Sequence, residues 1–584
     1  MENAAIARAL EDLADLQELS GTAPFKVRAF RSVAHTIEGL VQGVDDLMRD
    51  GKLEEIPGVG EGVARRIKEL LSTGKLAEAE ELRARLPPGL IQLLNLPGIG
   101  LKTTQQVWKE RSISSIDELE AAAREGKLRD LPRFGAKREA KLLLAIEAWR
   151  KRAAEPKRRL MAEALLAADP LVLRMRGVQG VLACEFAGSL RRRAETIGDL
   201  DLLVAARAED AVSIMDAFVA TPGVVEVLGK GETKTSVVLD GGMQIDLRVV
   251  PHDAWGAALQ YFTGSKEHNV AMRTLAVKRK LKVSEYGVFD AQGARIAGET
   301  EASVYEAIGL RWMPPELREN RGEIEAAAED RLPRLVELEE LRGDLHMHTS
   351  ETDGKSTLEQ MAGAALAAGR AYIAITDHSQ ALAFVGGMSR ERLRAQRQQI
   401  RELEERMGGS IRIFAGLEAD ILADGTLDLE EHLGELEWVM GSVHQQLDMP
   451  REQMTRRVVR AIESGKMDCL AHPTGRLLGQ RGASAIDMEA VLSSLERAGV
   501  AIELNGSPTR LDADEHLVRM ARDAGVLVVV NSDAHSVREL SSLRYGIGIA
   551  RRGWLSPEHV LNTRSADQIQ EWRAARRRAS PPPR

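Results

Sequence analysis

Nine of the 12 histidines lie after residue 340 (His346, His348, His378, His432, His444, His472, His516, His535 and His559), and that segregation limits what the C-terminal part can be. AYIAITDH, WVMGSVH, MDCLAHP and VLVVVNSDAH each carry one at the end of a short buried-strand run, and DLHMH carries two. IRIFAGLEAD and VAIELNG bring Glu418, and Glu503 with Asn505, to the same kind of place. Such runs alternating with helices predict a parallel α/β barrel, whose C-terminal strand ends collect on one face. His346 and His348, two apart at a strand end, face one way and can chelate one ion. The recurrence predicts a metal centre, and His432, His516 and His559, outside the pattern, are expected to be structural.

At 584 residues the chain is too long for one module. With 44% hydrophobic residues, 29% charged and a mean hydropathy of −0.23, it has material for several cores. No apolar run approaches the roughly 18–20 residues of a membrane span. The acidic N-terminus MENAAIARALEDLADL lacks a signal pattern, and two cysteines, Cys184 and Cys469, leave no disulfide framework. A cytoplasmic protein is expected. The net charge of −8 argues at first against a nucleic-acid partner, but no segment is strongly acidic, so motif chemistry has to decide.

The first 150 residues read as short amphipathic helices broken by glycine and proline, an all-α pattern. LEEIPGVGEGVARRI, LLNLPGIGLKTTQQV and the weaker LRDLPRFGAKREAKL repeat one design. Gly58 and Gly60, then Gly98 and Gly100, form tight turns before a helix, where free backbone N–H groups can meet phosphate. Cations follow each turn: Arg65, Arg66 and Lys68; Lys102 and Lys109; Lys137, Arg138 and Lys141. The segments resemble the helix-hairpin-helix motif, which contacts DNA phosphates without reading sequence.

From about Leu182 to Val250, β-branched runs predict an α+β unit on a mixed or antiparallel sheet. GSLRRRAETIGDLDLL places Asp199 and Asp201 in alternation on a strand, with Asp246 of QIDLRVV on a neighbouring one. Three carboxylates on one face repel unless cations neutralise them, which points to divalent ions and phosphoryl transfer. The Gly188-Ser189 turn and Arg192 offer donors to a triphosphate.

With GKGETK (Gly229–Lys234) and YFTGSKEHNVAMR (Tyr261–Arg273) in the same order, the chain resembles the DNA polymerase X family over residues 1 to about 320. The resemblance implies that Asp199, Asp201 and Asp246 are catalytic and bind two Mg2+ or Mn2+. It implies that Ser189 and Arg192 hold phosphates, that Tyr261, Phe262 and Gly264 line the sugar, and that Asn269 touches the base edge. Arg273, Lys230 and Lys234 are DNA-binding on the same grounds, and Lys26 and Arg31 match cations for a 5′-phosphate. Family members with lyase activity carry a lysine where this chain has Arg66, a group that stays protonated and is a poor nucleophile, so lyase activity is expected to be absent or weak; Lys68 lies two residues away.

His346, His348, Asp353, His378, Glu418, His444, His472, Asp533 and His535 resemble the nine ligand positions of the polymerase and histidinol phosphatase (PHP) family, a phosphoesterase barrel with a trinuclear site. Up to three Mn2+, Zn2+ or Fe ions are implied, and Arg476 is a candidate for charge stabilisation. The resulting organisation is a helical DNA-binding region (1–82), fingers (83–150), palm (151–252), thumb (253–318), linker (319–341), PHP domain (342–572) and a basic disordered tail (573–584). The expected function is DNA-templated gap filling in base excision repair with 3′-5′ exonuclease activity in the PHP domain, by a monomer acting on gapped or nicked DNA and dNTPs. The alternatives are a PHP domain acting as abasic-site endonuclease or 3′-phosphatase, and a gap-binding scaffold without catalysis.

Overall fold

In a computed structural model, residues 3–579 are described apart from 21, 23, 39–43, 50, 57, 88, 91–92, 94–95, 97–100, 132–133 and 155–157. The chain forms two compact units, Met1–Lys157 and Arg158–Arg584.

The first unit is helical, as its periodicity predicts. Helices α1 (Asn3–Leu19), α2 (Pro24–Glu38), α3 (Glu61–Thr73), α4 (Leu101–Arg111) and α5 (Ala136–Ala154) surround one core that includes Ile6, Leu10, Val33, Ile67, Leu119 and Ile146. Each such buried aliphatic side chain contributes roughly 1.5–3 kcal/mol. Gly58 has φ +88°, and a Cβ there would stand 3.3 Å from the Val33 side chain, so the turn before α3 packs on α2.

The second unit begins with a five-stranded sheet made of β1 (Val181–Phe186), β2 (Leu200–Ala206), β3 (Val224–Lys230), β4 (Lys234–Leu239) and β5 (Gln244–Val250), in the order β1-β2-β5-β4-β3. The β2–β5 pair is parallel and the others antiparallel, a mixed sheet. Helices α6 (Met161–Arg176) and α7 (Ala211–Val219) cover its apolar residues, with Leu165, Val172, Ile214 and Phe218 joining Leu202, Val204 and Leu247. After it, α8 (Trp255–Thr263), α9 (Lys266–Lys278), a three-stranded antiparallel sheet and α10 (Glu301–Ala307) close round Met272, Val288, Val304 and Tyr305. Gly256 lies so close to α10 that a Cβ would reach the Thr300 backbone at 2.0 Å.

The C-terminal barrel has seven parallel strands in chain order: β6 (Gly343–Asp344), β7 (Tyr372–Ile375), β8 (Arg412–Asp420), β9 (Trp438–Ser442), β10 (Cys469–Leu470), β11 (Ala501–Asn505) and β12 (Val528–Asn531). Its seam is stitched just past the first and last strands, where the His348 N–H donates to the Ala534 carbonyl at 2.9 Å and the Asp533 N–H to the His346 carbonyl at 3.0 Å. These strands are buried almost throughout, which explains why they read as unbroken apolar runs. Among the described residues no helix is long and apolar enough to cross a membrane.

Two segments differ from expectation. The predicted linker at 319–341 is packed: Leu335, Val336 and Leu341 are buried, the Val336 N–H donates to the Leu555 carbonyl, and Glu337 pairs with Arg551 at 2.6 Å. The predicted disordered tail begins inside helix α11 (Ala566–Ala579). Its Arg573 and Arg576 are buried against Asp468, next to β10, so their charge answers a buried carboxylate instead of solvating a tail.

Glu301, at the start of α10, ties this part together. It receives both Arg191 Nη atoms at 2.7 and 2.8 Å and the fully buried Arg318 at 2.6 Å. Burial disfavours its charge, but Arg318 and Arg191 outweigh that and lower its pKa to about 2 from the ordinary 4.5. Glu301→Gln should therefore cost about 3–5 kcal/mol at pH 7 in urea unfolding of the second unit. A carboxyl lowered on folding stabilises above its unfolded pKa, so the difference between wild type and variant should shrink as pH falls from 4.5 towards 2.

Candidate metal centres

Strand pairing builds the first centre. Parallel β2 and β5 put Asp201 opposite Asp246. Asp199 lies one residue before β2, exposed in a bend, so the expected alternation along one strand is replaced by a strand and its approach. Gly188 has φ +61°, and a Cβ there would come within 2.5 Å of Asp201 Oδ2; glycine lets the turn close on the carboxylates. Asp201 is pushed up to about 6 by burial, then by Asp199 and Asp246. Asp246 is also buried, but the Lys234 ammonium, Gln244 and Ser236 hold it below the ordinary value. Asp201 thus carries a penalty from burial and from two neighbouring carboxylates, and a divalent cation is a group that removes it.

Several of the other expected site residues have partners the sequence did not reveal. Lys234, expected on DNA, pairs with Asp246, and Lys230 pairs with Asp216. Arg192 donates to Glu319 at 2.9 Å and to the Thr263 carbonyl at 2.6 Å, beside Gly264. Ser189 lies on the short helix Gly188–Arg191. Tyr261 and Phe262 meet edge to face at 5.2 Å, with the Arg248 guanidinium 4.5 Å over Phe262. Asn269 donates to the Tyr261 carbonyl at 2.7 Å and accepts from Gln260 at 2.7 Å, so its amide ties α9 to the end of α8 that carries the aromatic pair. Arg273 is exposed on α9.

In the helical unit, Gly60 is the N-cap of α3, whereas Gly98 and Gly100 lie outside the described residues. Lys26 belongs to α2. Arg31, expected at a 5′-phosphate, pairs with Asp15 and Glu18, both at 2.8 Å. Arg66 pairs with Glu78 and lies 5.2 Å over the Phe30 ring, while Lys68 is exposed.

The second centre is at the C-terminal mouth of the barrel. His346, His378, His444, His472 and Asp533 each follow their strand's last residue by two or three positions, and Glu418 lies within β8. Three groups of side chains have ligand atoms within 4.8 Å of one another: His348, Asp353, His378 and His535; His346, His348 and Glu418; His378, Glu418 and His444. His472 Nε2 lies 2.9 Å from Glu418 Oε1, and His348 Nε2 lies 3.1 Å from Asp533 Oδ1. All nine expected ligands therefore converge. His432, His516 and His559 stand outside these groups, and His559 Nδ1 accepts the Ser556 N–H as a helix cap.

Burial opposes charge throughout, yet the partners win. Glu503, Asp533 and Glu418 raise His346 well above the usual imidazole value, while the histidines drive Glu418 and Asp533 well below the carboxylate range. His348 goes the other way, lowered by burial and by His535 and His378. His346 Nε2, His348 Nδ1 and Glu418 Oε2 are buried without a hydrogen-bond partner. Orphaned imidazole nitrogens beside strongly anionic carboxylates are a donor set that fits divalent transition metals.

Glu503, an unassigned member of the strand-end pattern, is the residue behind this centre. Fully buried on β11, its Oε1 meets His346 Nδ1 at 2.7 Å and accepts from Asn531 at 2.9 Å, and its Oε2 accepts the His472 N–H at 2.8 Å. It fixes the imidazole so that Nε2 faces the other ligands. Arg476, the candidate for charge stabilisation, is instead committed to Glu195 and to the Arg510 and Leu511 carbonyls.

Comparisons with known proteins agree with this division. Residues 1–76 match a helix-hairpin-helix domain, 90–148 a SAM-like helix-hairpin-helix tandem, 258–319 the DNA polymerase beta thumb and 344–507 the PHP domain. The chain is 36% identical over 573 residues to the DNA polymerase/3′-5′ exonuclease PolX of Bacillus subtilis, covering 97% of this chain and 98% of that protein. It is 28% identical over 292 residues to DNA polymerase lambda of Rattus norvegicus (45% of this chain, 48% of that one), and 30% identical over 237 residues to a probable phosphatase of Shewanella sediminis (38% and 88%).

Replacing Glu503 by Gln should lower the barrel's affinity for divalent transition metal by about 10- to 100-fold. Chelator competition on the purified protein measures it, and circular dichroism checks that the barrel remains folded.

Proposed function

The chain belongs to the family X DNA polymerases that end in a PHP domain, and we propose that it fills gaps during base excision repair and clears 3′ ends before it does so. It is a DNA polymerase with a PHP-associated 3′-5′ exonuclease, and its substrate is DNA. The observation that carries the reading is that one compact unit contains two carboxylate-rich centres of different chemistry, three aspartates on and just before two paired interior strands of a sheet and a nine-residue imidazole and carboxylate cluster in a barrel mouth.

At the sheet, Asp199, Asp201 and Asp246 hold Mg2+ or Mn2+ and are catalytic. Ser189 and Arg192 receive the dNTP phosphates; Arg192 exchanges the Glu319 carboxylate for phosphate oxygens, anion for anion. Gly188 leaves the room for that approach. The Tyr261–Phe262 pair and Gly264 bound the sugar, and Asn269 keeps the pair oriented while presenting its edge to the base. Lys230, Lys234 and Arg273, with the turn at Gly58 and Gly60, the glycines Gly98 and Gly100 and the cations Lys26 and Arg31, follow the DNA backbone.

At the barrel, His346, His348, Asp353, His378, Glu418, His444, His472, Asp533 and His535 hold up to three Mn2+, Zn2+ or Fe ions. When bound, the cations at both centres supply charge neutralisation and Lewis acidity. The working form is a monomer. The likeness to probable phosphatases favours one second reading for the barrel, removal of a 3′-phosphate in place of a 3′ nucleotide.

Asp199→Ala should abolish primer extension by at least about a thousandfold while sparing 3′ degradation, and His348→Ala should do the reverse. Loss of both activities in either variant would count against two separate centres. Defined 3′-hydroxyl and 3′-phosphate ends separate exonuclease from phosphatase.

Lyase chemistry needs a neutral amine. Arg66 has none, and its guanidinium is held by Glu78 and Phe30. Borohydride treatment with a 5′-deoxyribose-phosphate end should leave no covalent adduct on residues 1–82; an adduct mapping to Lys68 would overturn this.

A further inference from the structure

Two arginines stand at the rim of the barrel centre with no assigned role. The loop from Ser507 to Asp512 leaves β11 and returns beside it, the Asn505 N–H donating to the Asp512 carbonyl. It is tied at several further points. The Ser507 N–H donates to Asn505 Oδ1 at 3.0 Å, the Arg510 and Leu511 N–H groups to the Ser507 carbonyl at 2.9 Å, and the Leu478 N–H to the Thr509 carbonyl at 2.7 Å. Arg476, itself bound to Glu195, donates from Nε to the Arg510 carbonyl at 3.0 Å. The backbone of Arg510 is thus fixed from both sides.

Its side chain is not. Arg510 Nε lies 3.7 Å from Asp533 Oδ2, too far for a hydrogen bond, and that oxygen already accepts from Asn505 at 3.0 Å. Among the described residues the guanidinium of Arg510 donates no hydrogen bond to protein, and the side chain is 21% exposed. Arg481, on the loop after His472, is anchored through Nε to the Gly475 carbonyl at 2.9 Å and lies within electrostatic reach of Arg510. Burial and then the Arg510 cation push the Arg481 guanidinium down, while Asp512 opposes the shift weakly. Asp512 is itself buried and accepts from the Thr474 N–H. A fixed backbone that presents a free five-donor fork next to a second cation, at the mouth of a phosphoesterase centre, is a site made for a phosphate oxygen pair.

We propose that Arg510, flanked by Arg481, forms a phosphate subsite of the barrel, holding the phosphate of the 3′-terminal nucleotide as that nucleotide is cleaved from DNA. The inference rests on the hydrolytic reading of the barrel and adds the residues that seat its substrate. Asp533 serves two neighbours at once: its Oδ1 faces His348 and its Oδ2 faces Arg510, so the arginine keeps the substrate phosphate in register with the ligand cluster. Arg476 acts indirectly, as the positioning residue that sets the Arg510 backbone.

The test uses the full-length, metal-loaded protein and the variants Arg510→Gln, Arg510→Lys and Arg481→Gln. Four quantities are measured: metal content, KM and kcat for degradation of a 3′-hydroxyl end and of a 3′-phosphate end, binding of deoxyadenosine monophosphate by calorimetry, and primer extension as a check on folding. Arg510→Gln should weaken deoxyadenosine monophosphate binding and raise KM by about tenfold or more with metal content and primer extension unchanged. Arg510→Lys should recover part of this because it keeps the charge and loses the fork, and Arg481→Gln should show a smaller effect. Equal KM effects on both kinds of end would place the subsite on the phosphate they share. Unchanged binding and KM in Arg510→Gln would overturn the proposal, as would a fall in metal content together with kcat at constant KM, which would make Arg510 a brace for Asp533. If wild type degrades neither end, the hydrolytic reading fails on its own account, and the monophosphate binding arm still decides whether Arg510 holds phosphate.

Discussion

One carboxylate organises the C-terminal half of this protein. Glu418 is fully buried with five imidazoles within 3.7 Å of its oxygens, those of His346, His348, His378, His444 and His472. An unpaired buried charge would be intolerable, so the surroundings must supply cations or protons. Glu418 and these five histidines are six residues carried by five neighbouring strands, and parallel strands that wrap round bring them to one point. The barrel, its seam and the left-handed backbone of Asp533, at φ +54°, are what that convergence demands.

The sheet centre solves a milder version of the same problem. Asp201 and Asp246 are neighbours across two strands, and Asp199 remains open to solvent. With Asp199 exposed, one lysine and a few hydrogen bonds hold the resting arrangement. Glu319 does for Arg192 what Lys234 does for Asp246: each charged group waits beside a counter-ion of its own chain. A site arranged in this way leaves neither charged group bare.

The division into helical, mixed-sheet and barrel parts was legible because each follows from periodicity and from where glycine, proline and histidine fall. The histidines and acidic residues at the barrel's strand ends were legible for the same reason, since position after a strand is a property of sequence, whereas Asp353 joined the expected set only through the resemblance to the PHP family. Pairings between distant segments were not. Nothing near Arg192 in sequence announces Glu319, 127 residues away, and nothing near Arg476 announces Glu195, 281 residues back. The tail misled for a related reason: WRAARRR is a solvated run unless a buried carboxylate such as Asp468 waits for it, and that is a tertiary fact. Glu503 shows the intermediate case, visible as part of the pattern but assignable only once its bond to His346 is seen.

The stitched seam of the barrel also sets an order of events in time. The bonds between His348 and Ala534 and between Asp533 and His346 join stretches almost two hundred residues apart, and Asp468 gains its arginines only from the final helix. During synthesis from the N-terminus, the three aspartates of the sheet centre and the counter-ion of Arg192 are all made by Glu319, before any strand of the barrel. A chain interrupted on the ribosome before Ala534 would lack the seam partners of His346 and His348, and its barrel could not close. The convergence of the barrel's imidazoles and carboxylates is therefore among the last things the chain can complete.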